Sequence, residues 1–113
     1  MNKLMIIGNL TREPELRTTQ EGKKVCTFSV AVNRRKKIEG KADADFFRVS
    51  AWKDLGENCA KFLTTGKKVC VVGEVSVHTY QKQNGEAGAS LEVNASEVEF
   101  LSQKNSAEGE SPY

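Results

Sequence analysis

The sequence predicts an all-β fold, a small barrel of five strands with one short α-helix between the third and fourth strands. Two observations carry this prediction. Apolar and polar residues alternate along several stretches, as they do in strands that bury one face. Apolar residues recur at helical spacing in a single stretch, between residues 54 and 66. A chain of 113 residues is long enough for one domain with a modest core and too short for two.

The first strand is predicted from the apolar run LMIIG, Leu4 to Gly8. A turn follows at Thr11 to Pro14, and Glu15 to Thr19 is expected to extend the strand again. After a hairpin connection at Glu21 to Lys24, the second strand, KVCTFSVAVN, alternates cleanly. Because side chains two residues apart in a strand share a face, one face of this strand carries Cys26, Phe28, Val30 and Val32.

The third strand, FFRVSAW, has two unlike faces. The core face is predicted to consist of Phe47, Val49 and Ala51. The opposite face consists of Phe46, Arg48, Ser50 and Trp52. There aromatic rings alternate with a cation and a hydroxyl, which suits neither a dry interior nor an ordinary solvated face. Parity alone leaves two interpretations open: a binding surface, or a core in which Trp52 closes one end while Phe46 lies under a loop.

The helix is predicted over DLGENCAKFLTTG. Asp54 and Glu57 have the spacing of a capping box, and Gly66 can end the helix in the left-handed conformation. The apolar stripe expected to face the core consists of Leu55, Cys59, Phe62 and Leu63.

The last two strands form a long hairpin around Gln83 to Gly85. In the fourth strand, KKVCVVGEVSVHTY, Gly73 is predicted to mark a bulge or bend. In the fifth, SLEVNASEVEFL, the apolar parity switches near Ser96, which indicates a bulge. Residues 102–113 are predicted to be a short disordered tail to a domain over residues 1–101. This order of elements is that of an OB-fold, a small Greek-key barrel; another small barrel or a sandwich is the alternative.

Charge is distributed unevenly along the chain, although the net charge is only +2. Residues 1–53 carry twelve Lys or Arg against six Asp or Glu, whereas residues 54–113 carry five against nine. A basic half is compatible with an anionic ligand such as nucleic acid. The spacing of Cys26, Cys59 and Cys70 suggests small buried thiols, and neither a signal peptide nor a membrane span is predicted, so a cytoplasmic protein is expected.

The sequence offers no recognisable set of catalytic groups. His78 is the only histidine, which excludes a multi-histidine metal site, and it is expected to be a surface residue at a strand end. We therefore predict that the chain is not an enzyme and holds neither a cofactor nor a metal. What remains is aromatic residues interleaved with cations on strands, a combination suited to single-stranded nucleic acid. A duplex reader would need a basic helix, and Lys61 is the only cation in the predicted one.

Several stretches resemble the bacterial single-stranded DNA-binding protein family, over about residues 2–101. They include NKLMIIGNLTREPELR, the aromatic–RV–aromatic strand, and a helix that ends in glycine before KVCVVGE. The resemblance implies a five-stranded OB barrel, usually a homotetramer, that coats single-stranded DNA without sequence preference in replication, recombination and repair. It also implies a cytoplasmic, nucleoid-associated protein. The alternative function is an OB-fold protein-interaction module of a primosome-like complex.

The resemblance also implies the site residues. Bases are expected to stack on Phe46, Trp52 and Tyr80, and Arg48 is expected to contact phosphate. Further phosphate contacts are expected at Lys3, Arg17, Arg34, Arg35, Lys36 and Lys37. The family usually ends in an acidic tip that recruits genome-maintenance proteins, whereas this chain ends in SQKNSAEGESPY, which argues against such partners.

Overall fold

The computed structural model describes residues 1–36, 39–40 and 43–101, so Lys37 and the predicted tail, residues 102–113, lie outside the described residues. The described part contains six strands and one helix. In chain order they are β1 (Leu4–Leu10), β2 (Glu15–Thr18), β3 (Lys24–Asn33), β4 (Ala44–Trp52), α1 (Lys53–Phe62), β5 (Lys68–Gln81) and β6 (Ala87–Phe100). No helix within these residues is both long and apolar enough to cross a bilayer.

The strands form one sheet that closes on itself. Its order is β1-β5-β6-β4-β3-β2, and β1 also pairs with β3, which completes the barrel. The pair β4 and β6 is parallel, and the other paired strands are antiparallel. With α1 between β4 and β5, the predicted OB-fold class is confirmed.

Strand β2 is the segment that was predicted to extend the first strand. β1 pairs with β3 at Ala31 and Val30, the amide of Thr11 donates to the carbonyl of Ser29, and β2 then pairs with β3 from Thr27 onwards. Strands β1 and β2 therefore run along the same edge of β3 as one interrupted strand. This is why five long strands were expected and a sixth, short one is present.

The core lies inside the barrel, as the alternation predicted. Val49 and Ala51 of β4 are fully buried, and Phe47, which is partly buried, packs against the core. On the predicted face of β3, Cys26, Phe28 and Val30 are buried as well. Val32 is partly buried and packs against the core.

Helix α1 departs from the prediction at both ends. Its N-cap is Trp52, with extended backbone and no side-chain cap, so the predicted capping box is wrong. Glu57 instead forms an ion pair with Lys24 of β3, which ties the helix to the barrel. Gly66 does have a positive φ of 89°, but it lies in a turn after the helix has ended at Phe62.

The predicted apolar stripe of α1 is correct except at one position. Cys59 and Leu63 are buried and Leu55 packs against the core, whereas Phe62 is 55% exposed. Residues four apart lie almost directly above one another on a helix, while Phe62 sits at the edge of that row. Its ring instead lies 6.0 Å from the ring of Phe100.

The predicted bulge in the last hairpin is confirmed. Val72 pairs with Glu97 and Gly73 pairs with Ala95, so Ser96 is the extra residue. The hydroxyl of Ser96 donates to the carbonyl of Val72 at 3.1 Å, which links the bulged residue to the facing strand.

All three cysteines are free, and their burial differs. Burial raises the pKa of Cys26 to about 11, and burial followed by the nearby Cys26 raises the pKa of Cys59 to about 12. Both therefore remain protonated thiols at neutral pH. Cys70 is only half-buried, so the prediction of three buried thiols is correct for two of them.

Gly56 of α1 lies where the helix meets the barrel, and a methyl group there would collide with the carbonyl oxygen of Ala51. In an exposed helix interior, Gly→Ala raises the free energy of unfolding by about 1 kcal/mol. We expect the opposite for Gly56→Ala, a loss of about 1–3 kcal/mol from overpacking. A thermal melt measures it, because each kcal/mol shifts the Tm of a domain of this size by roughly 4–8 °C.

The exposed Asn58 provides the matched control on the same helix. Asn58→Ala replaces a weaker helix former at an open position, so it should leave the Tm unchanged or raise it. Equal melting temperatures for the two variants would show that α1 does not pack closely on β4 at Gly56.

Candidate nucleic-acid interface

The outer face of β4 is an exposed row of aromatic and cationic side chains. Phe46 is 57% exposed and Trp52 is 39% exposed, and Arg48 between them is also exposed. Their neighbours Val49 and Ala51 are fully buried on the other face. Phe46 is therefore not covered by a loop, and Trp52 stands at the rim of the barrel rather than inside it.

Strand register extends this face over neighbouring strands, because residues directly opposite each other in a sheet share a face. Arg48 lies opposite Ser29 of β3 and Glu92 of β6. At the other end, Trp52 lies opposite Val25, which lies opposite Arg17 of β2. The structure thus places Arg17 on the same face as Trp52, two strands away.

A groove of about 480 Å³ brings together three of the predicted site residues: Phe46, Arg48 and Tyr80. Ser29 and Glu92 also line it. Residues so far apart in the chain meet because β6 runs parallel to β4 and antiparallel to β5. This groove has exposed ring faces and a guanidinium within one concave surface, the combination that a stacked base and its phosphate require.

Tyr80 is held in place by its cross-strand partner, Gly88. A Cβ atom at Gly88 would lie 2.6 Å from ring carbons of Tyr80, so the ring occupies the space that a side chain there would fill. On its own strand, the ring of His78 stacks beside it with centroids 6.2 Å apart and planes inclined by 23°. Tyr80 nevertheless remains 45% exposed.

Sequence reasoning missed several residues that line the grooves of this face. His78 is exposed, as expected of a surface residue, and it also lines the groove with Tyr80, a role that was not proposed. Its position two residues before Tyr80 was the available signal, since such residues share a face. Arg12 was not proposed either, and it lines a second groove that shares Arg48 and Ser29 with the first. A third groove, beside Trp52, contains Lys23 and Lys53.

The remaining predicted cations are less uniform than the sequence suggested. Lys3 lines a separate groove with Glu74 and Asn94, and Asn94 lies opposite Ser50 of β4. The guanidinium of Arg34 donates to Asp45 at 2.8 and 3.1 Å, so its charge is largely compensated. Arg35 and Lys36 are exposed in the loop after β3.

An OB barrel with exposed aromatic rings beside cations on its outer face is typical of a class of proteins, the single-strand nucleic-acid binders. Comparison with known sequences identifies the family. Residues 1–101 match the model of the Single-strand binding protein family. The chain belongs to this family, which consists of binding proteins rather than enzymes, and the prediction that it is not an enzyme is confirmed.

Individual relatives agree with this assignment. The chain is 38% identical over 110 residues to single-stranded DNA-binding protein 2 of Listeria innocua, covering 96% of this chain and 69% of the relative. It is 39% identical over 106 residues to single-stranded DNA-binding protein A of Bacillus subtilis, covering 93% and 62%. The crystal structure of a small single-stranded DNA-binding protein from Streptomyces coelicolor superposes with a TM-score of 0.75 at 24% identity, covering 95% of this chain and 96% of that one, which supports the fold.

The packing of Tyr80 on Gly88 makes a structural prediction. A ring that stacks on a glycine shields its α-protons, so the Gly88 Hα resonances should be shifted upfield in the NMR spectrum. Tyr80→Ala should return them to ordinary values, whereas Tyr80→Phe, which keeps the ring, should not. Unshifted Gly88 resonances in the unmodified protein would show that the ring points elsewhere.

Proposed function

We propose that the protein binds single-stranded DNA without sequence preference. The observation that carries this proposal is the groove in which the exposed Phe46, Arg48 and Tyr80 converge. Bases stack on Phe46, Trp52 and Tyr80, and Arg48 contacts a phosphate. The relatives are named single-stranded DNA-binding proteins, which supports DNA as the ligand.

The chemistry of the face explains the lack of sequence preference. Every base has a π-face, so stacking on an aromatic ring accepts all four bases. Phosphates are identical along a strand, so the contacts of Arg48 carry no sequence information either. Further phosphates are contacted by Arg17 near Trp52, by Lys3, and by the loop cations Arg34, Arg35 and Lys36; Lys37 is outside the described residues.

Two exposed apolar residues of β1 support self-association. Met5 is 65% exposed and Ile7 is 47% exposed, on the same outer face. They lie beside Val72 and Cys70 of β5. Moreover, β1 pairs with β3 only through Asn9 and Leu10, so within the described residues the edge of β1 that faces away from β5 has no strand partner from Leu4 to Ile7. We infer a homotetramer, in the cytoplasm with the nucleoid, that serves DNA replication, recombination and repair.

The test of the proposed function uses Trp52, the only tryptophan, as its own reporter. Adding oligo(dT) should quench its fluorescence because a base stacks on the ring. In OB-fold proteins that bind single strands, stacking contributes about 1–3 kcal/mol per base. Trp52→Ala, followed by fluorescence anisotropy of labelled oligo(dT), should therefore weaken binding roughly five- to 150-fold.

Phe62 provides the matched control, because it is an exposed aromatic outside the grooves of this face. Phe62→Ala should leave the affinity for oligo(dT) unchanged. If oligo(dT) neither quenches Trp52 nor binds, the proposal fails and the protein-interaction alternative becomes the better reading.

Self-association is tested separately by multi-angle light scattering at micromolar concentration. The expected mass is four times the 12.5 kDa of one chain. Ile7→Lys places a charge on the exposed apolar face of β1, beside Met5. It should lower the measured mass, because an unpaired charge is costly to bury in an interface. A monomeric mass for the unmodified protein would contradict the homotetramer.

A further inference from the structure

The third groove, beside Trp52, lies at the other end of the aromatic row from Phe46. It has a volume of about 580 Å³, which lies within the roughly 300–1,000 Å³ of small-ligand sites. Its wall consists of Trp52, Lys53 and the turn that precedes β3. The turn contributes Thr19, Gln20, Glu21 and Lys23. One aromatic ring and two ammonium groups thus line a space large enough for one nucleotide.

Lys53 enters this groove through an unusual backbone conformation. Its φ is 59°, and it is the one described residue other than glycine with a positive φ. That conformation is strained for a residue with a Cβ atom, and such strain concentrates at functional sites. The chain turns here from the extended Trp52 into α1, and the turn leaves Lys53 on the groove wall directly after the tryptophan. A glycine would make the same turn without strain but without the charge.

Lys23 lines the same groove and is positioned by a hydrogen-bonded turn. The amide of Thr19 donates to the carbonyl of Lys23 at 2.8 Å, and the amide of Lys23 donates to the hydroxyl of Thr19 at 3.2 Å. The ammonium of Lys23 lies 3.8 Å from the carboxylate of Glu21, and both side chains are more than half exposed. The neighbouring Lys24 is already paired with Glu57, so Lys23 is the cation of this turn that faces the groove.

We propose that Lys53 and Lys23 hold the phosphates of the nucleotide that stacks on Trp52, so that this groove continues the single-strand path beyond the β4 face. This inference rests on the proposed function. Two cations and an aromatic ring that line one groove match a base and its flanking phosphates. Glu21 repels the same phosphates and offsets part of the attraction through its contact with Lys23.

The experiment measures the affinity for oligo(dT) across salt concentrations for Lys53→Asn. Asparagine tolerates a positive φ, so this substitution removes the charge and keeps the turn. Loss of one phosphate contact should flatten the slope of log affinity against log salt concentration by about 0.7. The affinity for oligo(dT) should then fall about five-fold at 0.1 M salt and be nearly unchanged near 1 M. Lys53→Arg should keep the slope. Glu21→Gln should strengthen binding, because it removes the repulsion.

Lys61→Asn is the matched control, since it removes the same charge from the same helix at a lysine that lies over Phe62, 5.4 Å from the ring centroid, rather than in the groove. Its salt slope should equal that of the unmodified protein. The inference is overturned if Lys53→Asn and the unmodified protein have equal salt slopes, or if Glu21→Gln binds oligo(dT) no more tightly than the unmodified protein. In either case, quenching of Trp52 would still support the proposed function. If the unmodified protein does not bind oligo(dT), both proposals fail together.

Discussion

The pairing of β4 along both of its edges is the constraint on which the rest of the structure depends. β4 pairs antiparallel with β3 over its whole length and parallel with β6 from Phe47 to Ser50. A strand that slipped by one residue would exchange its two faces. Such a slip would bring Arg48 into the core and Val49 into water, so burial opposes it strongly. The same pairing that builds the core therefore keeps Phe46, Arg48 and Trp52 outside.

The helix depends on β4 as directly as the aromatic row does. Trp52 is both the last residue of β4 and the N-cap of α1, and Lys53 makes the turn between them. From there Cys59 and Leu63 enter the core, and Gly56 lets the helix approach the backbone of Ala51. The position of the aromatic row and the packing of α1 on the barrel are thus set at one junction.

The cations of the basic half of the chain differ in their ion pairing. Lys24 is paired with Glu57 and Arg34 with Asp45. The hydrogen bond from Lys24 to Glu57, followed by the charge of Glu57, raises the pKa of the Lys24 ammonium. Arg48, Lys53 and Lys23 line grooves, and the Lys23 ammonium also lies 3.8 Å from the carboxylate of Glu21. The exposed apolar residues Met5 and Ile7 lie on the outer face of β1, which β5 and β6 separate from β4 in the sheet.

The sequence by itself determined which residues share a face, because alternation is a property of a single strand. It therefore predicted the two faces of β4, the bulge at Ser96 and the class of fold. Only the tertiary structure decided which strands are neighbours, since pairing joins residues far apart in the chain. That is why the sequence did not predict the meeting of Tyr80 with Phe46 or the packing of Tyr80 on Gly88. The same holds for the ion pairs of Arg34 with Asp45 and of Lys24 with Glu57. The groove at Lys53 depends on a positive φ at a lysine, a residue type that rarely adopts one, so the sequence carried no signal for it.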